Sequence, residues 1–197
     1  MNDFVIYVCD VEATGLDFIK NDIIELSLYR LTDNIQKTWC IKPINPSNIE
    51  SVALRINGHK LEDITHQTKY GKETYLESSK AIIDIENFVL SDGVPTEKRV
   101  LCGQNVGFDK NMMEQLWIKC ESKDSFPFGR RLMDTMIWEF MLDYATNSSS
   151  EGYSLSNLTK KYGVKNEKSH SAAADTLATK EVFLRQVNDL RKKLCIK

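Results

Sequence analysis

Residues 5–16, Val5-Ile6-Tyr7-Val8-Cys9-Asp10-Val11-Glu12-Ala13-Thr14-Gly15-Leu16, constrain what this chain can fold into more than any other stretch. They open as an apolar run of β-branched and aromatic residues, the pattern of a buried strand. Two carboxylates close the run, two residues apart. Side chains alternate along a strand, so Asp10 and Glu12 point to the same face. Bare carboxylates side by side repel, and burying them is unfavourable by roughly several kcal/mol. A divalent cation between them removes that penalty, and oxygen donors suit Mg2+ or Mn2+. Thr14-Gly15 then turns the chain away, and glycine lets a phosphate or a strand end approach the backbone. Asp-x-Glu by itself also fits an ordinary strand end with solvated acids, so the rest of the sequence decides.

The chain of 197 residues is long enough to bury a sizeable core and is read as one domain, 1–197. Its 42% hydrophobic and 27% charged content is that of a globular protein. The longest apolar run, at the N-terminus, is far shorter than the roughly 20 residues that span a bilayer. It carries neither a basic leader nor a small-residue cleavage site, so no signal peptide and no membrane association are expected. The five cysteines are scattered, with no Cys-x-x-Cys, which argues against structural zinc and a disulfide framework and for a reducing, cytoplasmic setting. A net charge of -2 excludes a generally basic nucleic-acid coat. The basic clusters Arg130-Arg131, Lys160-Lys161 and Arg191-Lys192-Lys193 read as solvated faces.

Asp22 to Leu31 and Ile35 to Lys42 read as second and third strands, joined by a Thr32-Asp33-Asn34 turn. Three strands in succession with short links predict an antiparallel meander opening a mixed sheet. Ser47 to Ile56 reads as a short helix ended by Asn57-Gly58, and His59 and His66 as surface residues beyond it. Thr74 to Leu90 reads as a long helix, and Val100 to Gly103 as a short buried strand. Asp109 stands where the next helix should begin, ahead of the run Met112 to Cys120; taken singly it reads as a helix cap. Arg131 to Thr135 reads as a strand end entering a helix to about Tyr144, with Asp134 as another capping candidate. A further helix runs from Ser154 to Gly163. The final one follows His170-Ser171-Ala172-Ala173-Ala174-Asp175. On a continuous helix, residues five apart lie about 140° from each other. His170 and Asp175 can therefore share a site only if His170 lies in the loop before the helix.

Four acids and one histidine thus stand at strand or helix ends. Their order resembles the DnaQ-like (RNase T-like) family of 3'-to-5' exonucleases. Its Asp-x-Glu motif with Thr-Gly behind it matches Asp10-Val11-Glu12-Ala13-Thr14-Gly15-Leu16. Its Asn-x-x-Phe-Asp motif matches Asn105-Val106-Gly107-Phe108-Asp109, and its His-x-x-x-x-Asp motif matches His170 to Asp175. Ser171 stands where the tyrosine subclass has its Tyr, so the resemblance is to the His (DEDDh) subclass. Three motifs in order are far more specific than any one of them. The sequence departs from the family at Gln104 and Asn57, where members often have His; neither is a metal ligand.

The resemblance implies an α/β protein of RNase H-like fold, a central mixed five-stranded sheet flanked by helices. It implies a phosphodiester hydrolase that uses two divalent cations, Mg2+ or Mn2+. Asp10 would bridge them, Glu12 and Asp175 would complete one site, and Asp109 would support the other. His170 would take a proton from the attacking water, giving activity that rises from mildly acidic to alkaline pH. Thr14 and Gly15 would hold the terminal nucleotide, Leu16 would wedge against its base, and Asn105 and Phe108 would lie beside it. The expected partner is the 3' end of single-stranded DNA or, second, RNA. Releasing nucleoside monophosphates, trimming RNA and acting as a non-catalytic binding or proofreading module are the competing roles. A homodimer stays open, and a polymerase partner is not indicated.

Overall fold

Alternation along the first strand decides what lies on each face of the sheet. In β1 (Val5–Ala13), Tyr7, Cys9 and Val11 point into the larger apolar core, while Val8 points to the other side together with Asp10 and Glu12. The computed structural model describes residues 3–66, 69–70, 73–166 and 170–194, the side chains of residues 65–74 excepted. β2 (Ile23–Arg30) and β3 (Ile35–Cys40) pair antiparallel with β1 and with each other in the expected meander. Beyond them come the helices α1 (Ser51–Asn57) and α2 (Leu61–His66), and a two-stranded ladder of β4 (Lys69–Tyr70) and β5 (Glu73–Thr74). Then follow α3 (Ser78–Leu90), β6 (Arg99–Gly103), α4 (Val106–Lys119), β7 (Leu132–Asp134), α5 (Thr135–Thr146), α6 (Leu155–Tyr162) and α7 (Ala172–Lys193).

The main sheet has the order β3-β2-β1-β6-β7, with β6 parallel to both β1 and β7. It is the mixed, five-stranded α/β architecture expected. Helices α3 and α4 cover one face through Ile82, Ile85, Phe88, Met112, Met113 and Leu116. Helix α7 covers the other, with Phe183 against Val8, Tyr29 and Cys102. Every position of β2 is buried, because both of its faces are covered. Cys9, Cys102 and Cys120 are free thiols, and burial pushes the Cys9 thiol well up from its ordinary range. Among the described residues no helix is long and apolar enough to cross a membrane.

Several boundaries differ from the sequence reading, each for a tertiary reason. The helix expected from Ser47 starts only at Ser51, after a single 3-10 turn at Pro46–Asn48, and Gly58 ends it at φ 73°. The helix expected from Thr74 starts at Ser78. Leu76 instead extends the sheet, its N–H donating to Cys40 O and its C=O accepting from Lys42 N. Tyr75 is buried in a small separate core with Ile24, Cys40, Leu54 and Ile64. His59, read as a surface residue, is buried at 3% exposure, while the side chain of His66 lies outside the described residues.

Helix α4 begins at Val106, several residues earlier than expected, because its cap comes from elsewhere in the chain. The Asp134 carboxylate accepts from Asn105 N and Val106 N at 3.3 and 2.9 Å, and also caps α5 through Met136 N and Ile137 N at 2.9 and 3.3 Å. The reading of Asp134 as a cap is correct but incomplete, since one side chain serves two helices. Replacing it by Ala leaves four backbone donors without that acceptor. The expected loss is about 2–3 kcal/mol, seen as a fall in Tm of roughly 5–10 °C for a domain of this size. Asp134→Asn, which keeps one acceptor oxygen, should recover part of it.

Candidate metal-binding active site

The acids that the sequence singles out are delivered by three elements. Asp10 and Glu12 lie on β1, Asp109 in the first turn of α4, and Asp175 in the first turn of α7. Oxygens of Asp10, Glu12 and Asp175 all lie within 4.8 Å of one another, although 165 residues of sequence separate the first from the last. Asp109 stands just outside that trio. Its Oδ1 accepts from Val11 N at 3.0 Å, between the two strand carboxylates, so it is held against β1 beside them and is not a cap.

The charges are poorly tolerated without a counter-ion. Burial pushes the Asp10 carboxyl well above the usual range, and the Asp109, Asp175, Glu12 and Glu25 charges push it further. Glu12 is pushed up to about 8, by burial first and then by Asp175, Glu25 and Asp109. Asp109 rises to about 7 by burial, against the pull of the backbone N–H groups that it accepts from. Oxygen donors only, close together and repelling each other, are what a hard divalent cation requires. These residues therefore fit such an ion, and Asp10, Glu12 and Asp175 would hold it.

Asp175 is positioned by its surroundings. Its Oδ2 accepts from His170 N at 2.9 Å and its Oδ1 from Asn166 Nδ2 at 2.6 Å. Nothing in the sequence pattern points to Asn166; its own Oδ1 is buried without a hydrogen-bond partner among the described residues. His170 precedes the helix, the placement under which it could share a site with Asp175, at a left-handed φ of 68°. Its imidazole is exposed.

Among the residues expected to hold substrate, Thr14 and Gly15 are buried at the end of β1. Thr14 is fully engaged in the fold: its N–H donates to Asp22 O, its hydroxyl accepts from Asp22 N, and its C=O accepts from Glu50 N. A Cβ on Gly15 would stand 2.5 Å from the Asn21 carboxamide and closer still to Glu50, which explains the glycine. Leu16, just past the turn, is 81% exposed, so it is not a core residue. Asn105 is exposed and left-handed at φ 57°, a conformation asparagine tolerates better than most residues. Phe108 is half-buried against the large core. The two departures from the family pattern are both tied down. Gln104 donates to Tyr153 O and accepts from Thr135 Oγ1, and Asn57 donates to Ala13 O at 3.2 Å.

A mixed sheet whose first strand ends in a cage of carboxylates, completed from a distant helix, defines a class of nucleases. The chain belongs to the RNase T family of exonucleases, whose model matches residues 7–183. No curated protein matches the sequence. Among solved structures, a moderately thermophilic Exonuclease I from Methylocaldum szegediense is 20% identical at a TM-score of 0.73, over 97% of this chain and 42% of that one. A zinc-bound complex of E. coli Exonuclease I with single-stranded DNA is 16% identical at a TM-score of 0.69, over 96% and 41%. The cell-death related nuclease 4 (CRN-4) is 11% identical at a TM-score of 0.69, over 94% and 64%. The chain thus spans about two fifths of the Exonuclease I chains it matches. At these identities the likeness is one of fold.

Proposed function

We propose that the protein is a metal-dependent 3'-to-5' exonuclease that releases nucleoside monophosphates from single-stranded nucleic acid, with DNA ahead of RNA. The observation that carries this is the convergence of Asp10, Glu12 and Asp175 within 4.8 Å. Family membership supports nuclease chemistry. The E. coli Exonuclease I complex, which shares the fold and holds both zinc and single-stranded DNA, supports the substrate class and the use of a divalent ion.

In this reading Asp10, Glu12 and Asp175 hold the divalent cations and Asp109 supports them from beside Val11. When bound, such ions neutralise charge on the scissile phosphate and stabilise the leaving 3'-oxygen. His170 takes a proton from the attacking water, for which its place in the loop beside Asp175 is suited. Leu16 meets the terminal base, since an exposed leucine next to the acids offers contact without sequence readout. Gly15, Asn105 and Phe108 border the same end of β1. Removing the base, His170→Ala, should lower kcat by about 10²-fold or more, with a smaller effect on KM.

The direct test incubates the protein with 5'-labelled single- and double-stranded DNA and RNA, with Mg2+, with Mn2+ and with EDTA. A ladder shortening from the 3' end of single-stranded DNA, abolished by EDTA, is the expected result. Preferential shortening of RNA would assign the RNA-trimming role. Binding without cleavage under every metal condition would assign a binding module.

A further inference from the structure

The acid that the sequence motifs pass over is Glu25. It lies on β2 directly opposite Glu12, so both side chains leave the sheet on the face that α7 covers. It is 2% exposed. A buried carboxylate beside three others needs a structural reason, because it adds to their repulsion; its charge contributes to raising both Asp10 and Glu12.

That reason lies in what Glu25 touches. Its Oε1 accepts from Ser171 Oγ and Ala173 N, each at 3.4 Å, which are the cap residue and second residue of α7. Its Oε2 lies 3.1 Å from His59 Nε2, and His59 Nδ1 meets the Tyr75 hydroxyl. The chain is satisfied when Nε2–H donates to Glu25 and Nδ1 accepts from Tyr75. Both His59 and Tyr75 are buried, so the clamp is rigid. On the opposite side, Gln36 Nε2 donates to Ala173 O at 2.8 Å, tying the same turn to β3. Asp175 sits two residues beyond Ala173, and its own N–H donates to Ser171 O at 2.9 Å.

We propose that Glu25, buttressed by His59 and Tyr75, is a positioning residue. It fixes the first turn of α7 against β2, and so sets Asp175 and the backbone of His170 in register with Asp10 and Glu12. The proposal rests on the nuclease reading for its kinetic consequence. Its consequence for ion binding stands without that reading.

The test compares Glu25→Ala, Glu25→Gln and His59→Ala with the unaltered protein. Mn2+ affinity is measured by calorimetry, kcat and KM on labelled single-stranded DNA, and folding by circular dichroism. Glu25→Ala should weaken Mn2+ binding by about tenfold or more and lower kcat by a similar factor while KM changes less than about threefold. Glu25→Gln keeps an acceptor for Ala173 N–H, and His59 can switch tautomer to accept from the new amide, so it should restore both values to within about threefold. His59→Ala should shift both in the same direction as Glu25→Ala but less. A folded Glu25→Ala with unchanged Mn2+ affinity would overturn the proposal, as would Glu25→Gln as defective as Glu25→Ala. If Glu25→Ala does not fold, His59→Ala carries the test, and unchanged ion binding there would overturn it equally. Absence of hydrolysis by the unaltered protein would remove the exonuclease reading and leave the affinity comparison to decide the positioning role.

Discussion

Asp10→Asn should abolish hydrolysis, by on the order of 10³-fold or more, and at the same time make the metal-free protein more stable. Both results have one cause. Asp10 is the carboxylate most exposed to its neighbours' charges, with Asp109, Asp175, Glu12 and Glu25 all raising its proton affinity. An amide of the same shape removes a repelling charge, so the metal-free fold gains stability. The same change takes away the charge that attracts and orients the cation, and losing several kcal/mol of charge stabilisation in the transition state corresponds to that rate factor. The measurement is a paired one: turnover on single-stranded DNA with Mn2+, and Tm in EDTA. A variant that loses activity and also loses stability would show that Asp10 serves the fold instead of an ion.

The second large effect is on pH. Glu12 rises from its ordinary 4.5 to about 8 and Asp109 from 3.8 to about 7 in the folded protein. Between pH 4 and 8 the folded metal-free protein therefore binds more protons than the unfolded chain does. Stability must then fall as pH rises through that window, and level off above it. Melting in EDTA should show a decline in Tm on the order of 10 °C from pH 5 to pH 8.5. Divalent cations compete for the same oxygens as the protons. Saturating Mn2+ should thus stabilise strongly at pH 8, by about 3 kcal/mol at a hundred times Kd, and little at pH 5. A metal-free Tm that rises with pH over this range would mean that the acids are not buried together.

What was legible in the sequence was whatever depends on local pattern. The first strand and the meander could be read because alternation and turn residues are encoded within a few positions, and motif spacing singles out Asp10, Glu12 and Asp175, whose oxygens the fold brings together. Asp109 shows where that reading stops. By local rules it looked like a cap, but the helix is capped by Asp134 from β7 and starts earlier, leaving Asp109 free to reach Val11. Leu76 fits a helical stripe by spacing, yet its backbone completes hydrogen bonds to Cys40 and Lys42, a partner the local sequence does not name. His59 reads as exposed because it follows Asn57-Gly58; its burial depends on Glu25, which is 34 residues away. Glu25 itself could have been suspected. It sits in the apolar run Ile23-Ile24-Glu25-Leu26, and a lone charge at a buried position of a central strand calls for a partner.

The placement of Asp175 on a helix that covers β1 and β2 has one more consequence. The sheet, both helices on its other face and three of the four acids can be in place while the ion cage lacks a wall. On the proposed reading, hydrolysis would then depend on α7 being docked, because lifting this helix would take Asp175 away from Asp10 and Glu12.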